Sequence, residues 1–213
     1  MKKIATVLLI TFLLYNYTLA QKKAITEEGK EVLLFENGTW KYTEDEEGEI
    51  EEVVEIPVNN KNFLKDEKAS FLLKSTKNEI GYWINPKKWT FKKAQKNEDA
   101  EYDLQYKDGD AYAMIISEGM EIPLETLKDI AINNAKEVSA DVTISKQEYR
   151  YVNGLKILYM ELDGTIKGMK FSYLGYYYSN ESGTTQFVCF TAQNLKEKYK
   201  EEIVTLLNGI VEY

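Results

Sequence analysis

The chain has 213 residues and a formal net charge of −8, from 27 Lys and Arg against 35 Asp and Glu, and it contains no histidine. Without histidine, Ser-His-Asp and Cys-His catalysis and His-based zinc sites are excluded. The acidic balance argues against nucleic acid or anionic lipid as main partner, since both require clustered Lys and Arg. The one cysteine, Cys189, sits in Phe-Val-Cys-Phe, allows no intrachain disulfide, and reads as a small buried hydrophobe.

The first twenty residues read as a cleavable secretory leader. Lys2 and Lys3 form a positive start, Ile4 to Tyr15 is almost wholly apolar, and Thr18-Leu19-Ala20 offers small residues for cleavage before Gln21. The apolar run is shorter than the roughly 20 residues of a spanning helix, so no membrane span is expected after cleavage. No cysteine stands at the cut to carry a lipid. Removing Lys2 and Lys3 with the leader would take the formal charge from −8 to −10. An exported protein, periplasmic or secreted, follows as the expectation.

Residues 21–43 carry short apolar runs (Ala24-Ile25 and Val32-Leu33-Leu34-Phe35) and then Trp40-Lys41-Tyr42, with Asn37-Gly38 between them. Asn-Gly between such runs is a hairpin signal, because both residues tolerate positive φ. The stretch Gly29-Lys30-Glu31-Val32-Leu33-Leu34 with Asn37-Gly38-Thr39-Trp40-Lys41-Tyr42 resembles a GK-VLL-NGTWKY-type segment near the N-terminus of many exported bacterial proteins, and it implies no activity. Residues 44–61 are then crowded with glutamate, from Glu44 to Glu55. Repelling like charges predict an extended, solvated linker, and the spacing lacks the ordered calcium-loop pattern.

From 62 onward the pattern is strand-rich. Short strands are expected at Phe71–Thr76, Ile80–Ile84 and after Trp89, and a hairpin at Tyr102–Tyr106 and Tyr112–Ile116 across Asp108-Gly109. Pro123 opens a helix whose stripe is Leu124, Leu127, Ile130, Ala131, Ala135 and Val138. Four long strands follow: Val142–Val152, Leu155–Leu162, Met169–Tyr178 and Thr184–Thr191. Turns are expected at Asn153-Gly154 and at Ser179–Gly183, and a turn or bulge at Asp163-Gly164 and Gly168. Asn194 and Glu197 suggest a capping box for a second helix with Leu195, Tyr199, Ile203, Leu206, Leu207 and Ile210 on its apolar side. Short turns between strands require antiparallel pairing. The expected class is α+β: an antiparallel sheet covered by two amphipathic helices in an α/β/α sandwich, preceded by the small hairpin.

This order, with Pro86 and Trp89 following Trp83-Ile84-Asn85, resembles the Mog1/PsbP-like fold over about 62–213. Pro86 and Trp89 stand where that fold carries a YP-x-GW turn, with Lys88 in place of the usual small residue. The resemblance implies binding without catalysis, as in accessory proteins of a photosynthetic complex and a regulator of a small GTPase. Metal roles in the group that use histidine do not carry over.

Candidate ligand-binding residues are aromatic. Trp83 and Trp89 flank the Asn85-Pro86 turn, and Tyr173, Tyr176 and Tyr177 lie in the tyrosine-rich strand. Alternation sends Tyr173 and Tyr177 to one face, Tyr176 and Tyr178 to the other. Each has a plainer packing role available, since Tyr favours strands and Trp seals core edges. Glu101, Asp103, Asp108 and Asp110 cluster near one hairpin, where turn chemistry explains Asp. No nucleotide, hydrolase or redox motif occurs. The sequence thus points to a monomeric, non-enzymatic binding or accessory protein without metal or cofactor, partnered by a protein or envelope component. A carrier of a small apolar or glycan ligand in a sheet–helix pocket is the alternative, and a carboxylate-based hydrolase stands third.

Overall fold

The computed structural model describes residues 22–26, 30–34, 40–42, 56–95 and 97–213. The leader, the Asn37-Gly38 turn and the glutamate-rich stretch up to residue 55 lie outside the described residues. The chain divides into two units, Met1–Ile50 and Glu51–Tyr213. In the first, β1 (Lys22–Ile25), β2 (Glu31–Leu34) and β3 (Trp40–Tyr42) pair antiparallel in chain order. Val32 and Leu33 are buried, and Trp40 is 52% exposed.

The second unit begins with β4 (Val58–Phe63), which starts inside the segment read from sequence as linker. Next come β5 (Phe71–Lys74), β6 (Ile80–Ile84), β7 (Trp89–Lys93), β8 (Ala100–Tyr106), β9 (Ala111–Glu118) and α1 (Leu124–Val138). The long strands β10 (Thr143–Val152), β11 (Leu155–Ile166), β12 (Met169–Asn180) and β13 (Gly183–Ala192) precede α2 (Lys196–Leu207) and β14 (Ile210–Glu212). The class is α+β, dominated by strands.

Eight strands form one sheet in the order β4-β10-β11-β12-β13-β9-β8-β7, and β14-β6-β5 form a smaller one. The main sheet is not wholly antiparallel: β4 runs parallel to β10, with Tyr149 opposite Val58 and Val152 opposite Phe63. Strands so distant in sequence need no tight turn, so the constraint that makes hairpins antiparallel does not apply. The long hairpins follow their turn residues. Asn153 and Gly154 have φ of 50° and 88°, and Lys167 and Gly168 have 49° and 80°, the paired positive values of a hairpin turn that matches strand twist. Of the expected turn or bulge at Asp163-Gly164 and Gly168, the turn falls at Gly168, and Asp163-Gly164 lies within β11.

Alternation divides the strands between two cores. Ile157, Tyr159, Leu174, Tyr176, Phe187 and Cys189 face α2 and the small sheet, where they meet Tyr82, Ile84, Tyr199, Ile203 and Leu207. Leu158, Met160, Leu162, Tyr177 and Val188 face α1 and meet Leu127 and Ala131. On the α2 side a helix alone does not cover the sheet: β5, β6 and β14 share that layer. Ile210, placed by periodicity on the helix, pairs instead with Tyr82 in β14–β6. The expected capping box is also absent. Gln193–Leu195 forms a 3-10 turn, Leu195 is the N-cap, and no side chain caps the helix.

The only arginine in the sequence, Arg150, lies 5% exposed on the α2 side. Its guanidinium sits 3.5 Å from the Tyr159 ring centroid and 4.7 Å from that of Phe63. Nε donates to Glu148 Oε1 at 2.6 Å and Nη1 to the Tyr176 hydroxyl at 3.2 Å, which donates onward to Asn208 Oδ1 at 2.7 Å. Asn59 of β4 also donates to Glu148. A planar cation suits this place because it can stack and donate at once, which an ammonium cannot. Next to it Glu161, 2% exposed, accepts from Tyr159 and pairs with Lys196 at 2.8 Å and Lys200 at 2.9 Å.

Burial works to raise the carboxyl pKa values of Glu148, Glu161 and Asp163, but their charged and hydroxyl donors prevail and hold all three below the ordinary range. The unfolded chain therefore binds more protons in acid. Their stabilisation is full above about pH 4 and is lost as pH falls below it. Urea midpoints should drop as pH falls below about 4, with a shallower drop in Glu161→Gln; equal slopes would show that Glu161 does not carry the effect. Arg150→Ala, which strands the Glu148 charge, is expected to cost about 3–5 kcal/mol in urea unfolding, and Arg150→Lys to recover only part of that.

Candidate functional site

The face of the main sheet beneath α1 carries three cross-strand rows. Leu158, Tyr177, Gln186 and Ile116 lie opposite one another, as do Met160, Gly175, Val188 and Met114, and then Leu162, Tyr173, Phe190 and Tyr112. The stripe of α1 tapers above them. Leu124 and Leu127 fill its first half, whereas Ala131 and Ala135 follow in its second half. Two small side chains where the helix would otherwise fill the interface leave a cavity of about 540 Å³, within the range of small-molecule pockets. Its floor includes Met114, Tyr173, Tyr177 and Val188, its wall Ala131 and Ala135, and its rim the segment Asn97-Glu98-Asp99 with Glu137.

Tyr177 is the feature that packing does not explain. It is 3% exposed, and its ring lies over Gly175, where an added Cβ would stand 2.9 Å from the ring and 3.0 Å from the hydroxyl oxygen. The glycine thus provides the bed for the tyrosine. The hydroxyl has no hydrogen-bond partner among the described residues and borders the cavity. Burial alone pushes its pKa up, so it stays a neutral donor. Tyr173, half-buried beside it, is shifted upward by the same cause. From Tyr173 an aromatic row continues to Phe190 at 6.0 Å and Tyr112 at 5.6 Å. It ends at a second depression of about 590 Å³, bordered by Phe91, Asp103 and Gln105 and sharing Asn97 with the first.

The other aromatic candidates lie away from this face. Trp89 is 3% exposed in the opposite core, 5.2 Å from the Tyr106 ring. Its backbone N–H and that of Lys88 close the turn onto the Asn85 carbonyl at 3.0 Å, and Lys88 pairs with Glu202 of α2. Tyr176 is fully buried against Arg150. Trp83 is half-buried on the outer face of the small sheet under Lys65, whose Nζ is 4.9 Å from its ring centroid. Of the five, Tyr173 and Tyr177 come together at a cavity; Trp83, Trp89 and Tyr176 do not join them. The sequence reading missed the cavity wall, Ala131 and Ala135, although both stand in the helix stripe it identified, and it missed Gly175.

The hairpin acids do not converge. Glu101 accepts from Ser75 at 2.8 Å and from Thr76 at 2.6 Å, while Asp103 borders the second depression. Cys189 is buried in the α2-side core, with its thiol pKa pushed up by burial. Among the described residues, no group of three or more Cys, Asp or Glu is placed to hold a metal ion.

Two stability measurements follow from this geometry. Tyr177→Phe removes a hydroxyl with no protein partner, so its thermal midpoint should equal or exceed that of the parent; a loss of about 1 kcal/mol would reveal a hidden partner. Gly175→Ala should cost about 1–3 kcal/mol by forcing the Tyr177 ring off its bed.

No family model matches the sequence, and no curated protein does. Solved structures do. Cyanobacterial PsbP from Synechocystis sp. PCC 6803 superposes over 68% of this chain and 94% of its own, with TM-score 0.51 and 17% identity. A protein of unknown function from Pseudomonas aeruginosa matches over 59% and 83%, at TM-score 0.44 and 9% identity. A Bacteroides thetaiotaomicron protein matches over 63% and 45%, at TM-score 0.37 and 9% identity. The likeness that reaches the level of a shared fold is the first, and it agrees with the strand and helix order: this chain has a PsbP-like fold.

Proposed function

We propose that this chain is an exported, non-enzymatic binding protein that holds a small ligand with an apolar body in the cavity between α1 and the main sheet. The observation that carries the reading is the buried Tyr177 side chain at the floor of a 540 Å³ cavity, its hydroxyl without a hydrogen-bond partner among the described residues. A ligand acceptor in the cavity would give this hydroxyl a hydrogen-bond partner. Ala131 and Ala135 keep the space open at a further cost in packing. Both features favour a ligand over a purely structural role for this face.

A PsbP-like fold is compatible with the accessory role that the sequence resemblance implies, and the leader-like first twenty residues put envelope or extracellular components within reach. A binding role also accords with the electrostatics. General-acid catalysis by a carboxyl needs a raised pKa, and the carboxyls with displaced values, Asp141, Glu148, Glu161 and Asp163, are all displaced downward.

N-phenyl-1-naphthylamine, a neutral dye that brightens in apolar surroundings, tests the reading. Saturable one-site binding is expected, and Ala135→Phe, which places a ring in the cavity, should weaken it at least about tenfold without lowering the thermal midpoint. Absent binding, or binding indifferent to Ala135→Phe, would overturn the assignment.

A further inference from the structure

The cavity beneath α1 differs in charge between its floor and its rim. The floor is apolar and aromatic, with the phenols of Tyr173 and Tyr177. The rim carries Glu98 and Asp99 from the β7–β8 connection and Glu137 from the end of α1, all three exposed, and no lysine or arginine is among the described lining residues. Asn97, Asn134 and Gln186 complete the polar rim and are uncharged. In a chain with 27 basic residues, the described residues at this pocket mouth include three acids and no lysine or arginine. Beneath this rim lies the aromatic row that starts at Tyr173 and runs through Phe190, at 6.0 Å, to Tyr112.

We infer that the ligand is a cationic amphiphile: a substituted ammonium group carried on an apolar or aromatic body. This rests on the binding role proposed above and specifies its chemistry. The body fills the space left by Ala131 and Ala135, and the ammonium group lies toward the mouth, where the acids of the rim attract it and the aromatic faces add cation–π attraction. An anionic ligand of the same shape would meet the three like charges of Glu98, Asp99 and Glu137. The unpartnered Tyr177 hydroxyl is free to donate to an ether, ester or hydroxyl oxygen in the body. Because the acids are exposed, their attraction is long-ranged and screened by salt, which separates their contribution from that of the apolar floor.

A series of probes with one skeleton and different charge tests this: 3-phenylpropyltrimethylammonium, neutral 3-phenylpropanol and anionic 4-phenylbutanoate, each titrated against the dye-loaded chain by displacement. The cation is expected to bind about tenfold more tightly than the alcohol at low salt and the anion more weakly than either, with the cation's advantage shrinking in 0.5 M salt. The surface variant Glu98→Gln/Asp99→Asn/Glu137→Gln should bring the cation down to the affinity of the alcohol and leave the alcohol unchanged. If the alcohol binds and is displaced in Ala135→Phe, but the cation binds no better, the ammonium class is wrong while the binding role stands. If no probe displaces the dye and the dye itself does not bind, the cavity reading falls with it.

Discussion

One buried guanidinium holds the α2 side of this fold in register. Arg150 projects from β10 between Phe63 of β4 and Tyr159 of β11, and donates to Tyr176 of β12, which in turn reaches Asn208 beyond α2. Glu148 supplies the counter-charge and accepts from Asn59 of β4. An isolated charge in such a place would be prohibitive, so each partner is obligatory once the arginine is there. The parallel strand β4 has no hairpin to fix its position, and this cluster, with the Asn153 side chain accepting from Lys65 and donating to the Asn208 and Ile210 carbonyls, ties that edge to the end of the chain. Each of these polar groups is matched by another in the same cluster, which marks the α2 side as the structural half of the molecule.

The α1 side is built on a different principle. There the sheet is apolar and aromatic with few polar groups, and the covering helix narrows from leucine to alanine along its length. The result is a face that is under-filled at one end, where the Tyr177 hydroxyl has no partner among the described residues. The two halves share the long strands: the same backbone that presents Tyr176 to Arg150 presents Tyr177 to the cavity one residue later. Rigidity on one face thus fixes the geometry of the other, which is how a site on sheet positions differs from one built on loops.

Much of this could be read from the sequence because it is local. The Asn153-Gly154 turn, the α1 stripe from Pro123 and the division of Tyr173 and Tyr177 from Tyr176 follow from φ preferences and from periods of 3.6 and 2. Where the reading failed, distant pairing or a close helix terminus decided. Ile210 fits a helical stripe, yet a three-residue strand against β6 claims it. Asn194 has the spacing of a cap, but the chain tightens into a 3-10 turn before α2 begins. Asn85-Pro86 and Trp89 did make the expected turn; its tryptophan went into the core rather than to a pocket.

The sequence by itself determined the strand-rich α+β class, the chain's acidity, the absence of histidine chemistry and the two faces of β12, because composition and alternation act residue by residue. Only the tertiary structure decided which of those aromatic residues come together at a cavity. Whether Tyr177 is core or site depends on what lies across from it, and that is set by the docking of α1: its alanines, rather than its leucines, come to stand at the edge of Tyr173 and Tyr177. A helix stripe records that small and large side chains share one face, but not which of them a packed neighbour will meet.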